Sequence, residues 1–530
     1  MSRLTATRRK GATRVTAEAQ QKKLPQSMPM PIPTGGLDAV SPLTSMPPDR
    51  AVALDNWFPQ LGYIELRKGH QPHSNTGETG QPVESLMAYN ASVGSSDKMF
   101  AAVNGKIEDV TTGTASESLT GLTNDRWQHV NFATSGGNFL EMCNGADGVR
   151  YFDGSSWATA SITGVTAADL IHIAAFKNRL WFVEKDTLNA WFLLPDSIQG
   201  QAYPFPLGGT MKMGGFLMAI ATWSLDGGDG PDDRIAFISS KGEVVVYAGT
   251  DPTNAATWEL QGVYTIGAPI GRRCWFKVGG DVAIVCIDGV VPLSKAMVVE
   301  RGAALTVAIT ANIQPLLNSD ARNFRNLFGW ELVSYPLGTR AILNVPQLEN
   351  ETQIQYVMNT ISGAWCRFTG WNANCFALFQ EELYFGGNDG IVYKADTSGS
   401  DNGNQIDANM QGAFTIGNSP NIKIFCLVRP FLITDGDVSP GLAVNVDYRN
   451  DAIVDPTPTT LDPGAEWDEA LWDVDVWPIE ENLVADWQEV GAVEGTAVSV
   501  RLAVSAEGSS GDIILRLIAL QIAYIPGGLI

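Results

Sequence analysis

The amino-acid sequence predicts an all-β protein: a β-propeller of about seven blade-like repeats, followed by a β-sandwich-like platform domain and preceded by an extended N-terminal arm. Three observations carry this prediction. Short apolar strands recur between residues 85 and 396 at a spacing of roughly 40 to 60 residues. Gly-containing turns follow many of these strands. A polar linker then leads into longer strands in which apolar and polar residues alternate.

The repeats are clearest at the second strand of each unit. Asn-Gly, Asp-Gly or Lys-Gly often leads from this strand into a third one, and Gly supplies the positive φ that tight hairpins require. Units of three or four antiparallel strands at this period are typical of propeller blades, and a plain multi-strand sandwich is the alternative. The second strands read MFAAV from Met99, FLEMC from Phe139, LWFV from Leu180, IAFIS from Ile235, VAIVC from Val282, AILNV from Ala341 and LYFGG from Leu383.

The composition divides the chain into four segments. The arm is rich in Pro and Met, which favours an extended conformation, and the polar linker TSGSDNGNQID marks the end of the repeats. The segments are a basic, Pro-rich extended arm (1–34), an N-terminal clamp (35–84), the propeller-like repeats (85–400) and a C-terminal β-sandwich-like domain with an acidic, Trp-containing stretch (401–530).

One helix is predicted within the repeats, in ITANIQPLLNSDARNF. Thr310 is its expected N-cap, and Pro315 should keep the helix short or kinked. An insertion between two blades is its expected place. The residues expected on its apolar face are Ile313, Leu316, Leu317 and Phe324.

Charge is unevenly distributed along the chain. There are 35 Lys and Arg against 57 Asp and Glu, a formal net charge of −22. Such acidity argues against a non-specific nucleic-acid-binding protein, because phosphate neutralisation supplies most of that affinity. Residues 1–25 nevertheless hold seven basic residues and one acid, a formal charge of +6, whereas residues 451–494 hold thirteen acids and no Lys or Arg. The chain therefore has a basic beginning and an acidic stretch near its other end.

Cysteine usage and hydropathy indicate a soluble protein made in the cytoplasm. The cysteines show no CxxC spacing and lie mostly within apolar strands, which favours buried free thiols in a reducing compartment. No apolar signal-peptide core follows the basic beginning, and no run of 18 or more apolar residues occurs, so no membrane anchor is expected. The six cysteines are Cys143, Cys274, Cys286, Cys366, Cys375 and Cys426.

Enzyme signatures are absent from the sequence. No GxSxG, HExxH, Walker or dinucleotide-binding motif occurs, so we predict no catalytic residues and no cofactor. His70 and His73 lie close together, but no third ligand is evident and a metal site is not expected. His129 and His172 fall in predicted strands, where satisfied core or rim positions are expected.

One acidic loop leaves two interpretations open. SLDGGDGPDD, from Ser224, matches part of the Asp box of sialidase-type propellers but has Pro231 where that motif has an aromatic residue. A solvated acidic loop is favoured, and a Ca²⁺ site is the alternative. The carboxylates concerned are Asp226, Asp229, Asp232 and Asp233.

A second acidic segment, EWDEALWDVDVWP, places three Trp residues five positions apart with acids between them. Such a density favours an oligomer interface in which the Trp side chains are buried and the carboxylates face solvent or a lumen. A solvated loop with incidental aromatic residues is the alternative. The predicted interface or lumen residues are Trp467, Trp472, Trp477, Asp468, Glu469, Asp473 and Asp475.

The segment GGLDAVSPLTSMPPDRAVALDNWFPQLGYIELRKGH, from Gly35 to His70, resembles the opening of the tail nozzle proteins of short-tailed bacteriophages, also called tail tubular protein B. Later segments are similar to the same family, so that the resemblance spans most of the chain. Residues 1–25 are less clearly part of it. The later segments are SSKGEVVVYAGTDP from Ser239, GAPIGRR from Gly267, DGVVPLSKAM from Asp288, WDEALWD from Trp467 and the closing AYIPGG.

The resemblance implies a structural protein of the virion tail, assembled in the host cytoplasm. Six copies would form a ring below the tail adaptor and extend the channel through which the double-stranded DNA leaves, with the propeller outside the tube and the platform docked upward. The implied partners are further copies, the adaptor and the passing DNA, and tail fibres are a further candidate. Duplex DNA carries a charge every ~1.7 Å, so a carboxylate wall would let it slide. We therefore expect residues 451–494 to contribute to the lumen.

The basic arm has two interpretations. Docking onto an acidic surface of the adaptor or of a neighbouring subunit is favoured, and contact with packaged DNA is the alternative. A propeller-type glycan-binding or glycan-degrading tail protein, or a receptor-binding module, is the competing function. The predicted partner-binding residues of the arm are Arg3, Arg8, Arg9, Lys10 and Arg14.

Overall fold

Strands make up 53% of the chain and helices 6%, which confirms the all-β prediction. Within the described residues the strands form a β-propeller with six separate blades and two further, larger sheets. The computed structural model describes residues 24–224, 233–278, 280–298, 301–302, 307–417, 419–435, 438–450, 458–461, 482–508 and 513–527.

Five strands precede the first blade, and the last of them completes the last blade. They are β1 (Gln26–Met30), β2 (Ala51–Asp55), β3 (Trp57–Pro59), β4 (Ile64–Leu66) and β5 (His70–Asn75).

The first three blades each have four antiparallel strands. Blade 1 comprises β6 (Val83–Tyr89), β7 (Lys98–Val103), β8 (Lys106–Asp109) and β9 (Ser116–Thr120), and blade 2 comprises β10 (Gln128–Thr134), β11 (Gly137–Cys143), β12 (Arg150–Phe152) and β13 (Trp157–Thr159). After β14 (Ile162–Thr163), blade 3 comprises β15 (Leu170–Phe176), β16 (Arg179–Glu184), β17 (Asn189–Phe192) and β19 (Tyr203–Pro206), and β18 (Gly200–Gln201) pairs in parallel with β14.

The next repeats vary more in their strand number. Blade 4 comprises β20 (Leu217–Ser224), β21 (Asp233–Ser239), β22 (Glu243–Gly249) and β23 (Trp258–Thr265), and blade 5 has three strands, β24 (Trp275–Val278), β25 (Asp281–Cys286) and β26 (Gly289–Pro292). Helices α1 (Leu293–Ala296) and α2 (Gln314–Phe324) precede β27 (Glu331–Tyr335), β28 (Arg340–Leu348), β29 (Thr352–Asn359) and β30 (Trp365–Thr369). Blade 6 comprises β31 (Cys375–Phe379), β32 (Glu382–Gly386), β33 (Ile391–Ala395) and the N-terminal strand β5.

The seven second strands that the sequence predicts are all strands, but only six repeats form separate blades among the described residues. The remaining repeat, around AILNV, is β27–β30. Its innermost strand contacts both blade 5 and blade 6, so it occupies a position in the ring. Its outer strand β30 pairs in parallel with β2, however, which makes the repeat part of a nine-stranded sheet. The count of separate blades is therefore one lower than predicted.

Blade strands are apolar at successive positions because both of their faces are buried. In β7, Met99 and Ala101 pack towards blade 6, whereas Phe100 and Ala102 pack towards blade 2. Successive side chains of a strand point to opposite faces, so a blade between two neighbours needs apolar residues on both. This explains the short unbroken apolar runs of the sequence.

Glycine is required where the central hairpin of a blade meets the neighbouring loop. Gly242 has a φ of +85°, and a Cβ there would lie 2.3 Å from the carbonyl oxygen of Ile266. Only glycine combines this backbone conformation with such a close approach.

The helix prediction is confirmed in position but not in its capping. Thr310 does not cap the backbone of α2; its hydroxyl contacts Gln314 Oε1 at 3.1 Å instead. Pro315 lies in the first turn, where it leaves no helical acceptor unpaired, so it does not kink the helix. Ile313 and Leu317 enter the core as predicted, and α2 lies between blade 5 and β27.

Beyond blade 6 the chain forms the strands of a two-sheet sandwich. A seven-stranded sheet contains β1, β3, β4, β35, β38, β39 and β41, and the nine-stranded sheet contains β2, β34, β36, β37 and β40 beside β27–β30. The bounds are β34 (Ile406–Gly412), β35 (Lys423–Thr434), β36 (Gly441–Val446), β37 (Pro458–Leu461), β38 (Asn482–Val484), β39 (Gln488–Gly495), β40 (Val498–Gly508) and β41 (Leu515–Pro526).

Both ends of the described chain meet in this sandwich. Residues Gln26–Met30, from the predicted extended arm, pair antiparallel with the last strand β41, and Met28 and Met30 are buried. The two sheets share one hydrophobic core with β27–β30 and blade 6. The sandwich and the propeller are therefore continuous in their packing and in one of their sheets.

Candidate functional site

Most of the site residues that the sequence predicts lie outside the described residues. This holds for the basic residues of the arm (Arg3, Arg8, Arg9, Lys10 and Arg14), for the acidic Trp-containing stretch (Trp467, Asp468, Glu469, Trp472, Asp473, Asp475 and Trp477), and for Asp226, Asp229 and Asp232. Asp233 is described and forms an ion pair with Lys177. Its carboxylate is therefore engaged by a cation of the protein.

His70, His73 and His172 each engage a different group of the protein. His70 Nδ1 lies 3.2 Å from Asp401 Oδ1, and His73 Nε2 lies 3.0 Å from the carbonyl oxygen of Val110. His172 is buried, and its Nδ1 accepts a hydrogen bond from the backbone of Ile220 at 3.4 Å. Over the described part of the chain, no three His, Cys, Asp or Glu side chains form a cluster suited to a metal ion.

A charged cluster, here called the axial cluster, lies where the chain enters several blades. Its charged members are Glu84, Arg126, Arg273, Glu331 and Glu349. Arg273 immediately precedes blade 5, yet its Nη2 donates to Ser85 Oγ of blade 1 at 2.7 Å and to the backbone oxygens of Glu84 and Trp127 at 3.1 and 3.2 Å. Blades 1 and 2 lie on the far side of the ring from blade 5. The Arg273 side chain therefore crosses the axis of the propeller.

The second cation of the axial cluster is Arg126, which precedes blade 2. It donates to Glu84 Oε1 at 2.9 Å and to Glu349 Oε1 at 2.7 Å. Arg126 and Arg273 also lie over the ring of Phe328, at 4.3 and 5.4 Å from its centre. Two cations thus pack against one aromatic ring.

Glu331, at the start of β27, completes the cluster. Its Oε2 accepts a hydrogen bond from the backbone of Phe376 at 3.0 Å and lies 3.5 Å from Arg273 Nη1. Burial raises the pKa of Glu331, and Arg273 and the Phe376 N–H partly oppose that rise. The cluster thus connects β27, blade 6 and blade 5 to blades 1 and 2.

Beside the axial cluster, an open cleft of about 630 Å³ lies between blades 1 and 2. Burial raises the pKa of Asp125 in this cleft to about 6, although the Gly105 N–H, which donates to its carboxylate at 3.0 Å, opposes the rise. Asp125 thereby fastens the hairpin of blade 1 to the loop entering blade 2.

The chemistry of the axial cluster is that of a structural tie. Its guanidinium and carboxylate groups neutralise one another and bind backbone groups and the Ser85 hydroxyl. Sequence reasoning missed this cluster because its members are dispersed from Glu84 to Glu349. The one local signal was GAPIGRR, which contains Arg273 and was noted for its resemblance to nozzle proteins.

No family model and no curated protein matches the chain. Among solved structures it is similar to a chain of the BBS1N complex with ARL6DN (12% identity, covering 62% of this chain and 97% of that chain, TM-score 0.39) and to the extracellular domain of the putative hybrid two component system BT3049 from B. thetaiotaomicron (12%, 81% and 55%, TM-score 0.40). It is also similar to the computationally designed Ika8 protein (9%, 65% and 96%, TM-score 0.34).

The fold and the axial cluster define the class to which this chain belongs: a β-propeller protein whose ring is tied across its axis and joined to a β-sandwich. In the described residues, no helix is long and apolar enough to cross a membrane.

Proposed function

We propose that this chain is a structural subunit of the tail of a short-tailed bacteriophage, one copy of a ring-shaped nozzle that extends the DNA channel below the adaptor. The observation that supports the proposal is the resemblance of several segments to tail nozzle proteins. Two of these segments also supply strands and a side chain that hold the fold together. Gly35–His70 supplies β2, β3 and β4 to both sheets of the sandwich and leads into β5, which completes blade 6. Gly267–Arg273 supplies the arginine that ties the ring.

The contacts that Arg273 makes across the propeller axis favour one arrangement of the DNA channel. Because Arg273 crosses the axis, duplex DNA cannot pass through the propeller itself. A channel would then run between copies, with each propeller on the outside. This arrangement is the one that the resemblance implies.

The charge distribution supports the remaining parts of the proposal. A wall rich in carboxylates repels the DNA backbone and lets it slide, which suits the acids of residues 451–494 with Trp467, Trp472 and Trp477 as contacts between copies. The arm, at +6, suits docking onto the adaptor or onto a neighbouring copy of this acidic chain.

The proposal is tested by immunogold electron microscopy of parent particles with an antibody against residues 405–530. Label in a ring at the collar or distal end of a short tail is expected. Particles without label, with the protein free in the lysate, would contradict the proposal, and turnover of cell-surface polysaccharide would then be the assay for the competing glycan-active function.

Docking by the arm has a separate test. Replacing Arg8, Arg9 and Lys10 with Ser should reduce incorporation into tails and leave the near-ultraviolet circular dichroism of the propeller unchanged. The control is Lys241→Ser, which removes a positive charge from an exposed turn of blade 4. Normal incorporation of the triple variant would contradict docking.

A further inference from the structure

A polar cleft of about 480 Å³ opens beside blade 6, where the loop 401–405 passes over the turn between β32 and β33. Five side-chain amides line it, and none of its described lining residues is Lys or Arg. A volume of this size falls within the range of small-molecule sites. The amides are Asn372, Asn388, Asn402, Asn404 and Gln405.

His70 forms part of the cleft wall and is 7% exposed. Its ring lies edge-on to Phe385 and Tyr393, with centres 5.1 and 4.9 Å apart. Its Nδ1 lies 3.2 Å from Asp401 Oδ1, and Asp401 accepts two further bonds from Arg67, at 2.9 and 2.6 Å. The ring is thus held by packing on one side and by a fixed carboxylate on the other.

This arrangement determines the hydrogen-bonding role of His70. Burial alone would raise the pKa of Asp401, but Arg67 and His70 outweigh that effect and the pKa lies below its usual value. Asp401 is therefore an acceptor, so His70 Nδ1 must donate. Nδ1 is therefore engaged by Asp401, and Nε2 is the ring nitrogen that remains for a ligand. No described residue bonds to Nε2.

The opposite wall presents both donors and acceptors. Tyr393 donates to Asp389 at 2.6 Å, which orients that carboxylate at the cleft, and Glu351 lines the rim. Asn372 is exposed at the mouth of the cleft. Its Oδ1 accepts a hydrogen bond from the Gln353 backbone N–H at 3.4 Å, so its two N–H donors point away from that bond. An anionic ligand would meet carboxylates without any Lys or Arg, and an apolar ligand would leave the N–H donors of Asn372 unpaired.

We propose that this cleft binds a saccharide, with His70 Nε2 forming a hydrogen bond to a sugar hydroxyl and the Asn372 amide bonding to a neighbouring hydroxyl. Each sugar hydroxyl can donate and accept, which matches the mixture of acceptors and donors in the cleft. The ligand is neutral, which matches a wall without cations. The tail role proposed above does not enter this argument, so either can fail without the other.

The first test is saturation-transfer-difference nuclear magnetic resonance on the full chain with D-glucose, D-galactose, D-mannose and N-acetyl-D-glucosamine at millimolar concentration. At least one of these sugars should receive saturation. The ¹⁵N resonance of His70 Nε2 should shift on addition of that sugar, and the ¹⁵N resonances of His73 should not.

Variants distinguish binding at this cleft from non-specific binding of sugars. His70→Phe keeps the aromatic packing against Phe385 and Tyr393 but removes Nε2 together with the Nδ1 that bonds to Asp401, and it should weaken binding about tenfold. His73→Phe, on the same strand with its Nε2 bonded to Val110, is the matched control and should bind normally. Asn372→Ala changes only an exposed side chain and should also weaken binding, which keeps the test valid if His70→Phe does not fold.

Two results would overturn the proposal. The first is the absence of saturation transfer to all four sugars. The second is transfer that persists unchanged in both His70→Phe and Asn372→Ala, since binding would then lie elsewhere on the surface.

Discussion

Glu141 is a buried carboxylate whose oxygens have no hydrogen-bond donor among the described residues. It lies on β11, and the residues on either side of it pack in the core between blades. Burial raises the pKa of Glu141 well above its usual value. Burial favours the protonated form of Glu141 in the folded protein, whereas the unfolded chain ionises it at neutral pH, so folding is opposed. We expect Glu141→Met to raise the free energy of unfolding by about 1–3 kcal/mol at pH 7.

The pH dependence of that gain is a further check on Glu141. Near pH 4 the unfolded chain also holds the proton, so the gain should be smaller there than at pH 7. Urea unfolding at both pH values measures it, and Glu259→Met, at an exposed position of β23, should give no gain. A loss of stability in Glu141→Met would contradict the prediction.

His172 has the opposite dependence on pH. Burial lowers its pKa to about 3 from 6.5. Below pH 6.5 the unfolded chain takes up a proton that the folded protein does not, so stability falls as the pH falls. From pH 7 to pH 5 this one residue should remove roughly 2 kcal/mol. We expect urea unfolding of His172→Leu to show a smaller decrease over that interval, and an equal decrease in both proteins would contradict the argument.

At the scale of elements, the axial cluster makes the ring depend on Arg273. Removing its guanidinium leaves Glu331 as a largely buried charge without its cation, which costs roughly 3 kcal/mol. We therefore expect Arg273→Met to lower the free energy of unfolding by about that amount. Adding Glu331→Gln should restore part of the loss, because the uncompensated charge is gone. Urea unfolding of the single and double variants measures this coupling, and an equal loss in both would contradict it.

The blade strands could be predicted because the residues that specify each of them are adjacent in the sequence. The seven second strands are apolar on both faces and end at turns, so the run MFAAV or VAIVC indicates a strand without reference to the rest of the chain. The axial cluster was not predictable on the same basis. Nothing adjacent to Arg273 in sequence indicates that Ser85 and Trp127 will lie across the ring from it. The helix error, at Thr310, concerns a single bond that depends on the packing of α2.

At the scale of the whole molecule, the pairing of the chain ends was beyond the sequence. Alternating polarity indicated the sandwich strands, but the partner of β41 is β1, nearly 500 residues away, with Gln26 opposite Tyr524. The same holds for β5, which joins β33 as the outer strand of blade 6. Register in these sheets is set by which faces are buried, and only the assembled core determines that.

Close contacts join the propeller to the sandwich. Asp55 of β2 accepts two bonds from Arg367 of β30, at 2.7 and 2.9 Å. A Cβ at Gly69 would lie 1.9 Å from the carbonyl oxygen of Ser400, so the two chain segments touch through their backbones. A shared sheet and a shared core make separate unfolding of the two parts unfavourable.

We therefore expect one cooperative unfolding transition for the full chain, and its cysteines allow a direct test. Cys143 lies in blade 2, Cys366 in β30 and Cys426 in the sandwich, and none forms a disulfide. Pulsed thiol labelling along a urea gradient, read by mass spectrometry, should give one midpoint for all three. Arg67→Met, which removes the cation from Asp401 at the joint, should lower all three midpoints together. A midpoint for Cys143 distinct from that of Cys426 would show that the blades unfold independently of the sandwich.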